Sequence, residues 1–265
     1  MPDVLDEVSM KMSTRFVFVL LIAAPVIVAA QTTQGQRGQG RFNAGDRVPV
    51  APVGNSRPFC CDYTVRPPLF FRETFDADIP NETPITQRSI TNPNVILSTW
   101  GPGKAGIRRS HHTFPSDDPK YTFSGPAKGN WAVTLRHKDS YVDLRTVAKI
   151  KWRANNSGLR ALHIIIKTAD GKWYISEQAD GPMTDWRERE FTPRELTWLT
   201  LDINAVVETG PAYNLDLSKV DEIGYTDLMT GGDVADAPSG AAASRVDWIE
   251  VWGFPLSRSV TTTNQ

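Results

Sequence analysis

Between residues 68 and 253 the chain alternates short apolar runs with clusters of Gly, Pro, Asn and Asp, and no stretch repeats its apolar positions at a helical period. Ten of these runs have the length and composition of strands: Leu69 to Phe75, Val95 to Trp100, Ile107 to His111, Trp131 to Arg136, Val147 to Arg153, Ala161 to Thr168, Lys172 to Gln178, Trp198 to Ile203, Val220 to Thr226 and Val246 to Trp252. Alternation is cleanest in two of them. Ala148, Ile150 and Trp152 share one face against Lys149, Lys151 and Arg153, and Trp131, Val133 and Leu135 oppose Ala132, Thr134 and Arg136. Strands joined by turns, with no helices between them, predict an all-β fold, an antiparallel β-sandwich of jelly-roll type.

One hairpin can be predicted residue by residue. Asp170-Gly171 stands between two apolar runs and reads as a two-residue turn. Such a turn sets Lys167 opposite Tyr174 and His163 opposite Gln178. One face then holds Leu162, Ile164, Ile166, Trp173 and Ile175 as core, and the other holds His163, Lys167, Tyr174, Ser176 and Gln178, with Ile165 among them. A polar face carrying an aromatic ring is either the water-facing side of the sheet or a ligand platform. If the preceding strand pairs alongside through the Asn155-Asn156-Ser157-Gly158 turn, Lys149, Lys151 and Arg153 extend that platform.

The flanks differ from this texture. Phe16 to Ala30 is apolar and uncharged, follows Lys11 and Arg15, and ends on the small residues Val28-Ala29-Ala30, the pattern of a secretory signal peptide cleaved after Ala30. It is short for a roughly 30 Å hydrocarbon core, and no other stretch approaches that length, so the mature chain is expected to be exported without a membrane span. Residues 31–67 are rich in Gln, Gly, Arg, Asn and Pro and read as a flexible linker. That leaves one domain, residues 68–254, and a disordered tail, residues 255–265. Cys60 and Cys61, the only cysteines, are adjacent and tie no distant parts of the chain together. Lys+Arg 29 against Asp+Glu 30 gives no basic footprint for nucleic acid.

Three late segments carry a resemblance. TWLTLDI (residues 197–203), LDLSKVDEIGYTDL (215–228) and SRVDWIEVWG (244–253) are similar to the last strands of galactose-binding-like jelly rolls, the architecture of many carbohydrate-binding modules. The resemblance covers roughly residues 130 to 253 and implies carbohydrate as partner. It also implies a structural calcium held by an acid on the first strand and the Asp of the last, here Glu73 and Asp247, with no other cofactor. Two carboxylates supply only part of the roughly six to eight oxygens calcium takes.

Candidate chemistry concentrates in GIRRSHHTFPSDDPKYTFSG, residues 106–125. His111 or His112 with Asp118 or Tyr121 forms an acid/base pair able to take a proton beside a uronic acid carboxylate, while Arg108 or Arg109 neutralises that carboxylate, the chemistry of a polysaccharide lyase. Adjacent histidines on a strand point to opposite sides, so only one of them faces any given pocket. HExxH and GxSxG motifs are absent. Glu188 and Glu190 share a strand face, but the roughly 5 to 9.5 Å between glycosidase carboxyls is met by any such pair, and a solvated face accounts for them. Sugars combine apolar C–H faces with rings of hydroxyls, so the platform of Lys151, Arg153, His163, Lys167, Tyr174, Ser176 and Gln178 leads to a carbohydrate-binding protein, its basic residues favouring an acidic polysaccharide. The alternatives are the lyase or another glycoside-active enzyme, and a module that docks on a partner protein through an exposed apolar patch near residues 84–100.

Overall fold

Strand alternation leaves each sheet with one apolar face, and the two faces close on each other. The computed structural model describes residues 65–112, 118–228 and 242–258. The expected signal peptide, most of the linker, Cys60, Cys61 and Asp117 lie outside the described residues. One sheet has seven strands: β1 (Leu69–Glu73), β2 (Thr83–Pro84), β4 (Arg108–Ser110), β5 (Tyr121–Phe123), β8 (Lys149–Asn156), β11 (Arg187–Phe191) and β15 (Ser244–Trp252). The other has nine: β3 (Val95–Trp100), β6 (Ala132–His137), β7 (Ser140–Asp143), β9 (Leu162–Thr168), β10 (Trp173–Asp180), β12 (Trp198–Asp202), β13 (Val207–Pro211), β14 (Val220–Thr226) and β16 (Phe254–Ser257). The first runs β11-β8-β15-β5-β4-β2 with β1 beside the far half of β15; the second runs β13-β12-β10-β9-β14-β6-β3, with β7 on β14 and β16 on β7. Every pairing is antiparallel. The molecule is the all-β jelly-roll sandwich its alternation predicts. Among the described residues, no helix is long and apolar enough to cross a membrane.

Ile150, Trp152 and Ala154 of β8 and Val246, Ile249 and Val251 of β15 meet Ile164, Ile166, Leu135 and Tyr225 of the facing sheet in one buried cluster. Each fully buried aliphatic side chain there contributes about 1.5–3 kcal/mol. The domain extends further than expected at its C-terminal end. Phe254–Ser257 pairs with β7, and Arg258 donates to Asp221, so residues 255–258 belong to the sandwich rather than to a tail.

Two expectations about the platform are corrected. β8 and β9 do not form a hairpin: β8 lies between β11 and β15, whereas β9 lies between β10 and β14. Their apolar rows face each other across the core, so the 157–161 connection crosses between sheets instead of turning within one. Lys151 and Arg153 therefore stand on the opposite side of the molecule from His163 and Lys167.

The register of β9 against β10 also differs from the expected one. The β9–β10 loop holds three residues, Ala169, Asp170 and Gly171, closed by the Thr168 N–H donating to the Lys172 carbonyl at 3.0 Å and the Gly171 N–H donating to the Thr168 carbonyl at 2.9 Å. Gly171 adopts φ 86°, the left-handed position such a loop needs. Lys167 thus faces Trp173, and Ile166 faces Tyr174. One residue of slip reverses the faces: Tyr174 and Ser176 are buried, Tyr174 within the core, while Trp173 and Ile175 turn outward.

A bulge between Ile175 and Ala179 then carries Asp180 to the seam between the sheets. Asp180 is fully buried, accepts from Trp152 Nε1 at 2.9 Å and from Arg187 Nη2, and forms an ion pair with Arg189 Nε at 3.4 Å. Its carbonyl accepts from Asn156 Nδ2 at 2.7 Å. One carboxylate of the nine-stranded sheet so holds β8 and β11 of the other. Removing it leaves a buried indole N–H and two arginines without their acceptor. Asp180→Ala is expected to lower unfolding free energy by about 3 kcal/mol, read from a urea midpoint. Lys172→Ala, which breaks an exposed pair with Asp170, leaves the midpoint in place. Equal midpoints for Asp180→Ala and wild type would remove the latch.

Candidate functional site

The outer face of the nine-stranded sheet is not a plain solvated surface. Pairing sets Thr134, Gly224, Ile165, Ile175 and Leu199 in one row and Glu222, Lys167 and Trp173 in the next. Ile165 and Ile175 are fully buried there, in a second apolar cluster with Ala132, Leu201, Ile203 and Val206. Trp100, Trp173, Leu199 and Leu228 pack against that cluster and stay partly exposed. The Trp100 and Trp173 rings meet edge to face with centroids 5.4 Å apart.

A polar chain joins the two indoles. Trp100 Nε1 donates to Thr134 Oγ1 at 3.0 Å, and that hydroxyl donates to Glu222 Oε2 at 2.8 Å. Glu222 Oε1 accepts from Lys167 Nζ at 3.1 Å, and the ammonium lies 5.3 Å from the Trp173 ring centre. Both rings are thereby held in orientation while their apolar surface remains available. His163 Nδ1 donates to the Ser176 carbonyl at 2.8 Å, since a carbonyl only accepts, which leaves Nε2 as an acceptor. Beside Trp100 an open groove runs between Pro102 and Lys104 on one wall and Asp202 and Asn204 on the other. Asp202 Oδ1 caps this wall by accepting from the Asn204 N–H at 2.9 Å.

Of the expected ligand residues, His163 and Lys167 occupy this face. Tyr174 and Ser176 point inward, and Lys151 and Arg153 lie on the other sheet. Gln178 is exposed but holds both ends of Thr197, donating to its hydroxyl at 3.2 Å and accepting from its N–H at 2.9 Å. Trp100, Trp173, Glu222, Lys104, Asp202 and Asn204 were missed. An indole ending a strand just before Gly101-Pro102-Gly103 was the available signal for Trp100.

The outer face of the seven-stranded sheet interleaves arginines with aromatic rings. Arg72 lies 4.7 Å from the Trp248 ring and bonds Glu250; Arg153 lies 5.3 Å from Trp186 and bonds Asp247; Arg245 lies 5.1 Å from Phe123. The expected acid/base residues gather at one end of this face. The His112 backbone N–H donates to Asp118 Oδ2 at 2.6 Å, and its ring Nδ1 lies 3.1 Å from the same oxygen and 3.2 Å from Tyr121 Oη. Burial pushes the Tyr121 phenol up, partly offset by Ser110 and Arg245. His111 turns away: its N–H donates to Asn81 Oδ1 and its Nδ1 meets the His112 carbonyl. Arg109 points inward and donates to the Ala77 carbonyl, so of the two expected arginines it is not available there, and Arg245 stands nearer Tyr121. In the segment 84–100, where an apolar docking patch is expected, Ile90, Ile96, Leu97 and Trp100 are partly exposed and none is fully exposed.

Glu73 and Asp247 do not fit a calcium site. Glu73 is fully buried opposite Ile249 on the inner side of the sheet, whereas Asp247 sits outside beside Arg153. The Glu73 carboxylate already accepts four backbone N–H groups, from Thr74, Phe75, Thr91 and Asn92, at 2.7–3.1 Å. Burial pushes the Asp247 carboxyl up, and Arg153 counters it. Among the described residues no three His, Cys, Asp or Glu side chains group as metal ligands. Glu73→Gln is expected to lower stability by about 2 kcal/mol through loss of a charged acceptor. Neither calcium nor a chelator should move the wild-type melting midpoint; a calcium-dependent rise would restore the metal.

No family model matches the chain, and no curated protein matches it. Among solved structures, the chain is similar to a family 11 carbohydrate-binding module of a cellulosomal cellulase from Clostridium thermocellum, at 14% identity and a TM-score of 0.38 over 66% of this chain and 96% of that one. It is also similar to a family 29 carbohydrate-binding module complexed with cellulohexaose, at 11% identity and a TM-score of 0.35 over 65% of this chain and 89% of that one. Likenesses of this size carry no argument about what this chain binds.

Proposed function

We propose that this protein is an exported carbohydrate-binding protein that takes its ligand on the outer face of the nine-stranded sheet. The observation that carries the reading is the Trp100–Trp173 pair, two partly exposed indoles fixed by the Thr134–Glu222–Lys167 chain beside a groove with Lys104, Asp202 and Asn204. Such a face stacks on the C–H side of a sugar ring and offers donors and acceptors to its hydroxyls. The apolar, uncharged Phe16–Ala30 segment supports export. The basic residues that favoured an acidic polysaccharide no longer share one face, and Lys167 is paired with Glu222 and Asp221. The ligand is therefore a glycan held by ring stacking more than by charge. On a glycan array, Trp100→Ala and Trp173→Ala should each weaken binding about 30-fold, roughly 2 kcal/mol, without unfolding the protein. Unchanged retention in a folded double variant would end this reading.

The geometry at His112 favours a second reading, a polysaccharide lyase. With Nδ1 held at Asp118, His112 presents Nε2 to solvent, where it can take the proton beside a uronic acid carboxylate as the glycosidic C–O bond breaks and an alkene forms. Turnover of a uronate polymer should then raise ultraviolet absorbance and fall about 100-fold in His112→Ala. Equal rates for the two proteins would dismiss it.

A further inference from the structure

A second cleft opens at the end of the sandwich where β9 turns into β10. Asp170, Lys172, Tyr213, Asn214, Asp216 and Ser218 line it. Tyr213 is 82% exposed, an unusual position for a large aromatic ring unless something covers it. The next residue, Asn214, adopts φ 59°, a left-handed position that asparagine tolerates better than most residues, so the bend presenting Tyr213 is built into the backbone.

The floor of the cleft is polar and internally balanced. The Thr168 hydroxyl donates to Asp170 Oδ1, and Lys172 Nζ pairs with Oδ2 at 2.9 Å. Those contacts, the Thr168 bond first, hold the Asp170 carboxyl down at about 2. Asp216 accepts from the Ser218 N–H at 2.8 Å and the Ser218 hydroxyl at 2.7 Å, which keep its carboxyl below the ordinary range. Lys219, on the rim, places its ammonium 4.6 Å from the Tyr141 ring centre. Two ionised carboxylates retain acceptor capacity beyond their internal bonds. An anion would meet both of them, and a cation would have to compete with Lys172.

We infer that this cleft is a second saccharide site, with Tyr213 as the stacking ring and Asp170 and Asp216 as acceptors for the hydroxyls of a neutral hexose unit. It takes the same ligand class as the reading above but shares no residue with it, so either can fail alone.

The test is an NMR titration of the full chain, ¹⁵N-labelled, with cellohexaose, mannohexaose and xylohexaose. At least one of them should shift the amides of Asp170, Lys172 and residues 214–218 along a saturable curve. Tyr213→Ala should weaken that curve about tenfold or more, while Tyr213→Phe, which keeps the ring, should hold it within about threefold. Because Tyr213 is exposed, neither variant threatens the fold. Saturable shifts confined to the neighbourhood of Trp100 and Trp173 overturn the second site and leave the first standing. Shifts confined to the cleft do the reverse. No shift with any of the three sugars, or an unaltered curve in Tyr213→Ala, also overturns it.

Discussion

Gly171 lets the β9–β10 hairpin close over three residues instead of two, and the outward position of Trp173 depends on that difference. A strand repeats its faces every two residues, so the loop length decides which of two neighbouring aromatic side chains meets the core. With the loop as it stands, the smaller, hydroxyl-bearing ring of Tyr174 goes inside with Ile164 and Ile166, and the indole of Trp173 goes outside to meet Trp100. The Thr168–Asp170 bond holds the same turn from its side chains. A residue with a Cβ at Gly171 would be strained by about 1–2 kcal/mol in that left-handed position. Hairpin register, indole pair and polar chain are one construction.

The fold was legible in the sequence because its strands announce themselves by alternation. Ala148, Ile150 and Trp152 do lie inward, and all ten apolar runs are strands. What escaped notice was short or polar: β7 reads SYVD and β13 reads VETGP, strands made by their neighbours rather than by their own composition. The platform was legible only as a set of residue types. Asp170-Gly171 is compatible with two loop lengths, and that dipeptide alone does not choose between them; in the three-residue loop the Thr168 hydroxyl bonds Asp170. That β8 and β9 belong to different sheets is likewise a property of the whole sandwich. The His112, Asp118 and Tyr121 cluster was within reach because its members lie within ten positions of one another.

The eight tryptophans now have separate occupations. Trp131, Trp152 and Trp198 fill the interior; Trp100 and Trp173 lie on one outer face; Trp186, Trp248 and Trp252 lie on the other, the first two against arginines. The two outer faces therefore use the same residue differently. On one, guanidinium groups and carboxylates cover the rings. On the other, the rings cover an apolar layer and are themselves left partly open. Glu73 shows the same economy of means inside the sheet, where one carboxylate gathers the N–H groups of two loops.

β11 closes the row of the seven-stranded sheet, and its sequence, Arg-Glu-Arg-Glu-Phe, has a further consequence. An outermost strand offers unpaired N–H and C=O groups to any other strand that arrives. Here Arg187 and Arg189 are already committed to Asp180 and Glu190 to Lys149, so three of the four exposed side chains cannot easily be moved aside. An incoming apolar strand would have to lie against alternating fixed charges. The contact that latches the two sheets together also protects this edge from self-association, and it does so without lengthening or covering the strand.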